Sequence, residues 1–154
     1  MSETLTNSME LVTTYICKKG DIGVHDNMFG GTIMSLIDDA AASYAAQICD
    51  TPRMVTIKIS ELVFKKPIKV NNLLKIYANV EQFGRTSVTL YVEVRKHNVH
   101  TGEQEIVTHT SIKFVRIDED GRAIPIPKTI STRYESRMQK YGKALLSYEE
   151  LKNE

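Results

Sequence analysis

The chain has few cysteines, no surplus of charge of either sign and no long apolar run. Each shortage removes a class of protein. Two cysteines, Cys17 and Cys49, in 154 residues form no disulfide framework, so a reduced, cytoplasmic setting is expected. Twenty basic residues face 19 acidic ones, for a net charge of +1. That balance lacks the basic excess of sequence-independent nucleic-acid binding, so no nucleic-acid partner is expected. It leaves room for a local basic pocket. No apolar stretch reaches the ~18 residues of a membrane span, so no membrane partner is expected either. Residues 1–11 hold neither a basic region nor an apolar one, and no signal peptide is expected. Internal repeats and low-complexity tracts are missing. His97, His100 and His109 have no Cys or carboxylate to complete a ligand pattern, so neither a metal nor a separate cofactor is expected.

What is present is one domain's length of chain with a clear order of patterns. Residues 1–8 are polar and read as loose. Residues 9–17 are β-branched and apolar enough for a first strand. Lys18 to Gly23 read as a loop. From Gly30 to about Ile48 the period is helical, with Ile33, Ile37, Ala40, Ala41, Tyr44 and Ile48 at three- and four-residue steps. Asp50-Thr51-Pro52 ends that helix.

The rest is β. Val55, Ile57 and Ile59 alternate, then Leu62 and Phe64 take the opposite phase, which predicts a bulge near Ser60-Glu61. Pro67 ends the strand and Asn71-Asn72 turn. Leu74 to Val80 and Val88 to Val94 alternate on either side of a turn at Phe83-Gly84-Arg85. After a hairpin tip at 98–102, Ile106, Thr108, Thr110, Ile112 and Phe114 share one face of a last strand. Residues 131–152 read as an amphipathic or solvated helix. One long helix followed by strands joined through short turns excludes a doubly wound fold. The prediction is α+β, a long central helix wrapped by a curved antiparallel sheet.

The run from His25 to Asp38 carries the chemistry. Its Gly30-Gly31 pair opens the helix, where backbone N–H groups are unpaired and the macrodipole is positive. Glycine lets a ligand oxygen approach those groups, as an oxyanion site requires. Asp38 is a carboxylate on the edge of an alanine-rich face, suited to act as base or nucleophile. Asp39 reads as exposed. A thiol leaving group, with a pKa of about 8.5, departs without a strong acid, so this pair suits hydrolysis of a thioester. Asp38 lies roughly 10 Å along the axis from Gly31, however. One carbonyl cannot touch both. A second, antiparallel copy of the helix closes the gap, which predicts a two-fold dimer with two sites. Downstream, Arg85-Thr86-Ser87 offers a hydroxyl, and Arg85 or Lys65-Lys66 offers charge for phosphates. A plain hairpin turn with exposed charges explains the same residues.

The ordered set His25-x-Asn27-x-Phe29-Gly30-Gly31-x-x-Met34-x-x-x-Asp38, Phe64-x-x-Pro67, Gly84-Arg85-Thr86-Ser87 and Asp118-x-x-Gly121-Arg122 resembles the acyl-CoA thioester hydrolases of the hotdog superfamily. The likeness spans roughly residues 9–128. It implies a hotdog domain over 1–128, with 129–154 as a C-terminal helical extension. It also implies acyl-CoA substrates, hydrolysis to a carboxylic acid and CoA, and Asp38 as the catalytic carboxylate. Gly31 or Gly30 would polarise the thioester across a dimer interface, and Asn27 would orient water or the acyl group. His25, Phe29, Arg85, Thr86 and Ser87 are the expected substrate-binding residues. Trimers of dimers are usual for such proteins. One departure stands out: Asn71-Asn72 replaces a usual Gly-Asp turn. Two other functions compete, a dehydratase, which needs a His–acid motif missing here, and a non-catalytic acyl-CoA-binding module, which would not need Asp38 and the glycines together.

Overall fold

Alternating apolar residues and one alanine-rich stripe dictate two layers, and two layers are found. The computed structural model describes residues 9–139. The strands are β1 (Glu10–Ile16), β2 (Met54–Ile59), β3 (Leu73–Phe83), β4 (Ser87–His97) and β5 (Gln104–Arg116), with the helix α1 (Gly30–Cys49) between β1 and β2. A second helix, α2, occupies residues 128–139, three residues earlier than the sequence pattern suggests. The expected loose start at 1–8 and the expected helix beyond 139 lie outside the described residues. All strand pairs are antiparallel, in the order β1-β3-β4-β5-β2. The sheet curves round α1, which touches every strand.

The predicted helix face is the buried one: Ile33, Ile37, Ala40, Ala41, Tyr44 and Ile48 all face the sheet. Opposite them sit Leu74, Ile76, Leu90, Val92, Ile112 and Phe114, all fully enclosed. Each such large side chain contributes about 1.5–3 kcal/mol of burial. Alanines on α1 let the helix lie close to this layer. Cys17 and Cys49 are buried thiols. Burial pushes the Cys49 thiol up to about 11, so it stays protonated and inert at neutral pH.

Three details depart from the sequence pattern. β2 stops at Ile59 rather than bulging near Ser60, and its register break lies earlier, between Thr56 and Lys58. Residues 60–65 still run along β5. Ser60 N–H donates to the Ser111 carbonyl at 2.9 Å and Lys65 N–H to that of Val107 at 2.8 Å. The hydroxyls of Thr110 and Thr108 donate to the carbonyls of Ser60 and Val63. Those two threonines face inward because they hold this segment. On β5, Ile106 does not share the face of Thr108. The register shifts opposite Val94/Arg95, so Val107 takes the core position and Ile106 is only half-buried. Finally, Asn71 adopts φ 73°, the conformation a glycine would supply, and Asn72 Oδ1 accepts the Lys69 N–H at 2.8 Å. The Asn-Asn turn thus serves both purposes of a Gly-Asp one.

Candidate active site

The start of α1 is built by its preceding loop. Phe29 N–H donates to the Asp21 carbonyl and Met28 N–H to that of Ile68, which pins residues 28 and 29 between two other segments. Phe29 is the N-cap and its side chain makes no capping hydrogen bond. Ile33 N–H is the first to find an acceptor, the Phe29 carbonyl at 3.1 Å. Among the described residues, the N–H groups of Gly30 and Gly31 have no acceptor. They are the unpaired donors an anion or carbonyl oxygen would use.

Neither Gly30 nor Gly31 has a positive φ, so backbone conformation does not call for glycine at this helix start. A Cβ on Gly31 would meet only the Phe29 ring, at 3.7 Å, and one on Gly30 the Phe64 ring at 3.4 Å. Gly23 is different. A Cβ there would fall 2.5 Å from the Phe29 ring, so Phe29 packs directly on Gly23.

Beside this helix end lies a cavity of about 300 Å³, lined by Asn27, Met28, Gly30, Ile33 and residues 64–68. It holds two of the expected catalytic residues. Asp38 lies outside it, two turns further along α1, half-buried. Its Oδ1 accepts a 2.8 Å hydrogen bond from the Thr56 hydroxyl. Its Oδ2 has no partner among the described residues. Asp39 is exposed, as expected. Thr56 was not among the candidates. Alternation with the apolar Val55 and Ile57 puts it on the face that the sequence pattern reads as polar.

The loop before the cavity is tied by a lysine. Lys69 Nζ donates to Asn27 Oδ1 at 2.5 Å and to the His25 carbonyl at 3.3 Å. His25 and Asp26 both take left-handed conformations, φ 66° and 59°, which L-residues adopt at a cost. The His25 ring itself is exposed.

Arg85, Thr86 and Ser87 sit elsewhere. They form the β3–β4 turn, where a Cβ on Gly84 would lie 2.5 Å from the Ser87 hydroxyl. Ser87 pairs with Val115, which pairs with Val55 on its other side. They are thus level with the start of β2 and, among the described residues, share no hydrogen bond with Asp38, Asn27, Gly30 or Gly31. Another cavity, of about 640 Å³, lies beside the 98–102 hairpin tip and is lined mainly by polar residues. It contains none of the expected catalytic or substrate-binding residues. Among the described residues no group of three potential metal ligands occurs, and no helix is long and apolar enough to cross a membrane.

The sequence profile of the thioesterase superfamily matches residues 25–103. An acyl-CoA thioester hydrolase of Bacillus subtilis, YkhA, named as uncharacterized, is 30% identical over 84% of this chain and 81% of its own. The Escherichia coli acyl-CoA thioester hydrolase YciA is 30% identical over 76% of this chain and 92% of its own. The crystal structure of a hexameric hotdog fold thioesterase of Campylobacter jejuni matches with a TM-score of 0.73. It is 29% identical and covers 83% of this chain and 98% of the other. The unpaired helix start, the half-buried carboxylate and the sheet wrapped on one helix therefore belong together: the chain is a hotdog-fold member of the thioesterase superfamily.

Proposed function

We propose that this protein hydrolyses acyl-CoA thioesters to a carboxylic acid and free CoA, at sites shared by two copies of the chain. The observation that carries this reading is the separation of the two halves of the chemistry on α1. The unpaired Gly30 and Gly31 N–H groups and the unpaired Asp38 Oδ2 lie roughly 10 Å apart along one axis. They meet only if a second helix runs antiparallel beside the first.

The surface around them supports the pairing. β2 is an edge strand. Its Val55, Ile57 and Ile59 are exposed, as are Met34, Phe29 and Phe64 nearby. An exposed apolar edge of this kind is a liability in a monomer. Joining two copies along β2 would cover it and bring the two α1 helices together.

In such a site the Gly31 N–H donates to the thioester carbonyl. Asp38 of the other copy either attacks the carbonyl carbon, forming a mixed anhydride that water then hydrolyses to the free acid and the restored carboxylate, or takes a proton from a water that attacks directly. Negative charge collects on the carbonyl oxygen, the C–S bond breaks, and CoA leaves as a thiolate that is then protonated. Lys65, Lys66 and Arg85 supply charge for the CoA phosphates. The Campylobacter relative is hexameric, and a hexamer, built as a trimer of the dimers above, is the assembly proposed here.

The test is thiol release from acyl-CoAs of graded chain length, followed with a chromogenic thiol reagent. Release at rates above buffer for at least one chain length is expected. Tight acyl-CoA binding without release would favour the binding-module reading instead.

A further inference from the structure

We infer that Lys69 is a positioning residue that turns Asn27 into a hydrogen-bond donor facing the reacting carbonyl. This rests on the thioesterase reading above and deepens it. An asparagine amide has an accepting oxygen and a donating NH₂ group, and either can face a substrate. A lysine ammonium has three donors and no acceptor. The Asn27 atom within 2.5 Å of Lys69 Nζ must therefore be its oxygen. The NH₂ group is left on the other side of the amide, and Asn27 lines the same cavity as Gly30.

The backbone fixes Lys69 in that place. Met28 N–H bonds to the Ile68 carbonyl at 2.7 Å, so residues 27 and 69 are neighbours across that contact. Lys69 N–H bonds to Asn72 Oδ1 and the Lys69 carbonyl accepts the Asn72 N–H at 3.1 Å. The Asn71 and Cys17 backbone groups then bind that turn to the end of β1. The same ammonium bonds the carbonyl of His25, within the left-handed pair. One side chain thus holds both the strained loop and the amide.

The consequence is chemical. Gly30 and Gly31 present N–H donors, and the oriented Asn27 adds a third donor of the same polarity. A thioester oxygen that gains charge in the transition state can be shared among them. An Asn27 turned the other way would offer its oxygen and hold a water instead.

The experiment is a double-mutant cycle on the full-length protein with its best acyl-CoA. Lys69→Met should lower kcat by about tenfold with KM little changed, the sign of an interaction made in the transition state. Lys69→Arg, which keeps donors at this point, should recover most of the loss. Asn27→Ala combined with Lys69→Met should lose no more than Asn27→Ala alone, because one acts through the other. Multiplicative losses would overturn the proposal. So would a loss confined to KM that disappears at high salt, which marks attraction of phosphates. The Asn27 side-chain amide pair, identified in a ¹⁵N spectrum by its loss in Asn27→Ala, should shift in Lys69→Met, and an unmoved pair would also overturn it. A wild-type protein releasing no thiol from any acyl-CoA would refute the thioesterase reading, while the amide resonance would still decide the Lys69 contact.

Discussion

Asp38 and Asp39 are adjacent in the chain and opposite in environment. Asp39 is solvated, whereas Asp38 is half-buried and held by the Thr56 hydroxyl at 2.8 Å. The contrast makes a sharp test. In Asp38→Asn the amide oxygen can still accept from Thr56, so the fold should survive with an unchanged melting temperature. The base or nucleophile is gone, and kcat should fall well beyond tenfold, a loss of more than ~1.4 kcal/mol in the barrier. Asp39→Asn should be nearly silent. An Asp38→Asn enzyme keeping more than about a tenth of wild-type kcat would assign the chemistry to another group. At this scale the sequence located the placement of these residues, a half-buried carboxylate beside an apolar stripe and a glycine pair at a helix start. It was silent on Thr56 and Lys69. Their roles come from contacts across 18 and 42 residues of chain, and no local pattern encodes those.

Elements were legible where one face alternates cleanly. β3 and β4 follow the period of two with inward Leu74, Ile76, Ala78, Val88, Leu90, Val92 and Val94, and the turn residues between them match their positions. Legibility failed where the partner strand, not the local pattern, sets the path. Residues 60–65 keep strand-like composition but leave the ladder, because Thr108 and Thr110 hold their carbonyls through side chains. That departure carries Phe64 to Ile68 to the cavity beside Gly30. The sequence left the second helix open between amphipathic and solvated, and the buried Ile130 and Tyr134 make its described part amphipathic. The Tyr134 hydroxyl accepts the Val80 N–H at 2.8 Å and meets the Tyr44 hydroxyl at 3.3 Å. Its ring packs edge-on against Phe83. Val80 lies at the β3–β4 register break, so its N–H depends on that hydroxyl. Tyr134→Phe keeps the ring and strands the N–H, and should destabilise the protein by about 1–3 kcal/mol. Thermal or urea unfolding would measure it. Activity per folded molecule should be unchanged, since α2 lies at the far end of α1 from Gly30. An unshifted midpoint would mean that α2 docks through its apolar side chains alone.

For the whole molecule, the geometry of α1 makes a prediction that no single substitution can test. If each site takes Gly31 from one copy and Asp38 from the other, two dead variants can repair each other. Asp38→Asn chains carry intact glycines, and Gly31→Val chains carry an intact Asp38. The Gly31→Val chain should still fold, since a Cβ there meets only the Phe29 ring at 3.7 Å. Alone it should lose ~100-fold in kcat, the scale of one missing oxyanion donor. A dimer of one chain of each kind has one site with both parts intact and one with neither. Equal co-expression with random pairing makes about half of all dimers mixed, each with one working site of two, so roughly a quarter of wild-type activity should return. A site built within one chain gives a different result. Every site would then carry one of the two lesions, and the mixture would show only the average of the two dead variants. Tagging the variants differently and purifying through both tags removes assemblies of one variant alone; in a trimer of dimers with random pairing nearly all assemblies hold both chains, so their activity should stay at about a quarter of the wild type. Mixed assemblies as dead as their parents would refute a shared site, and the helix pairing inferred from the exposed β2 edge would have to serve some purpose other than catalysis.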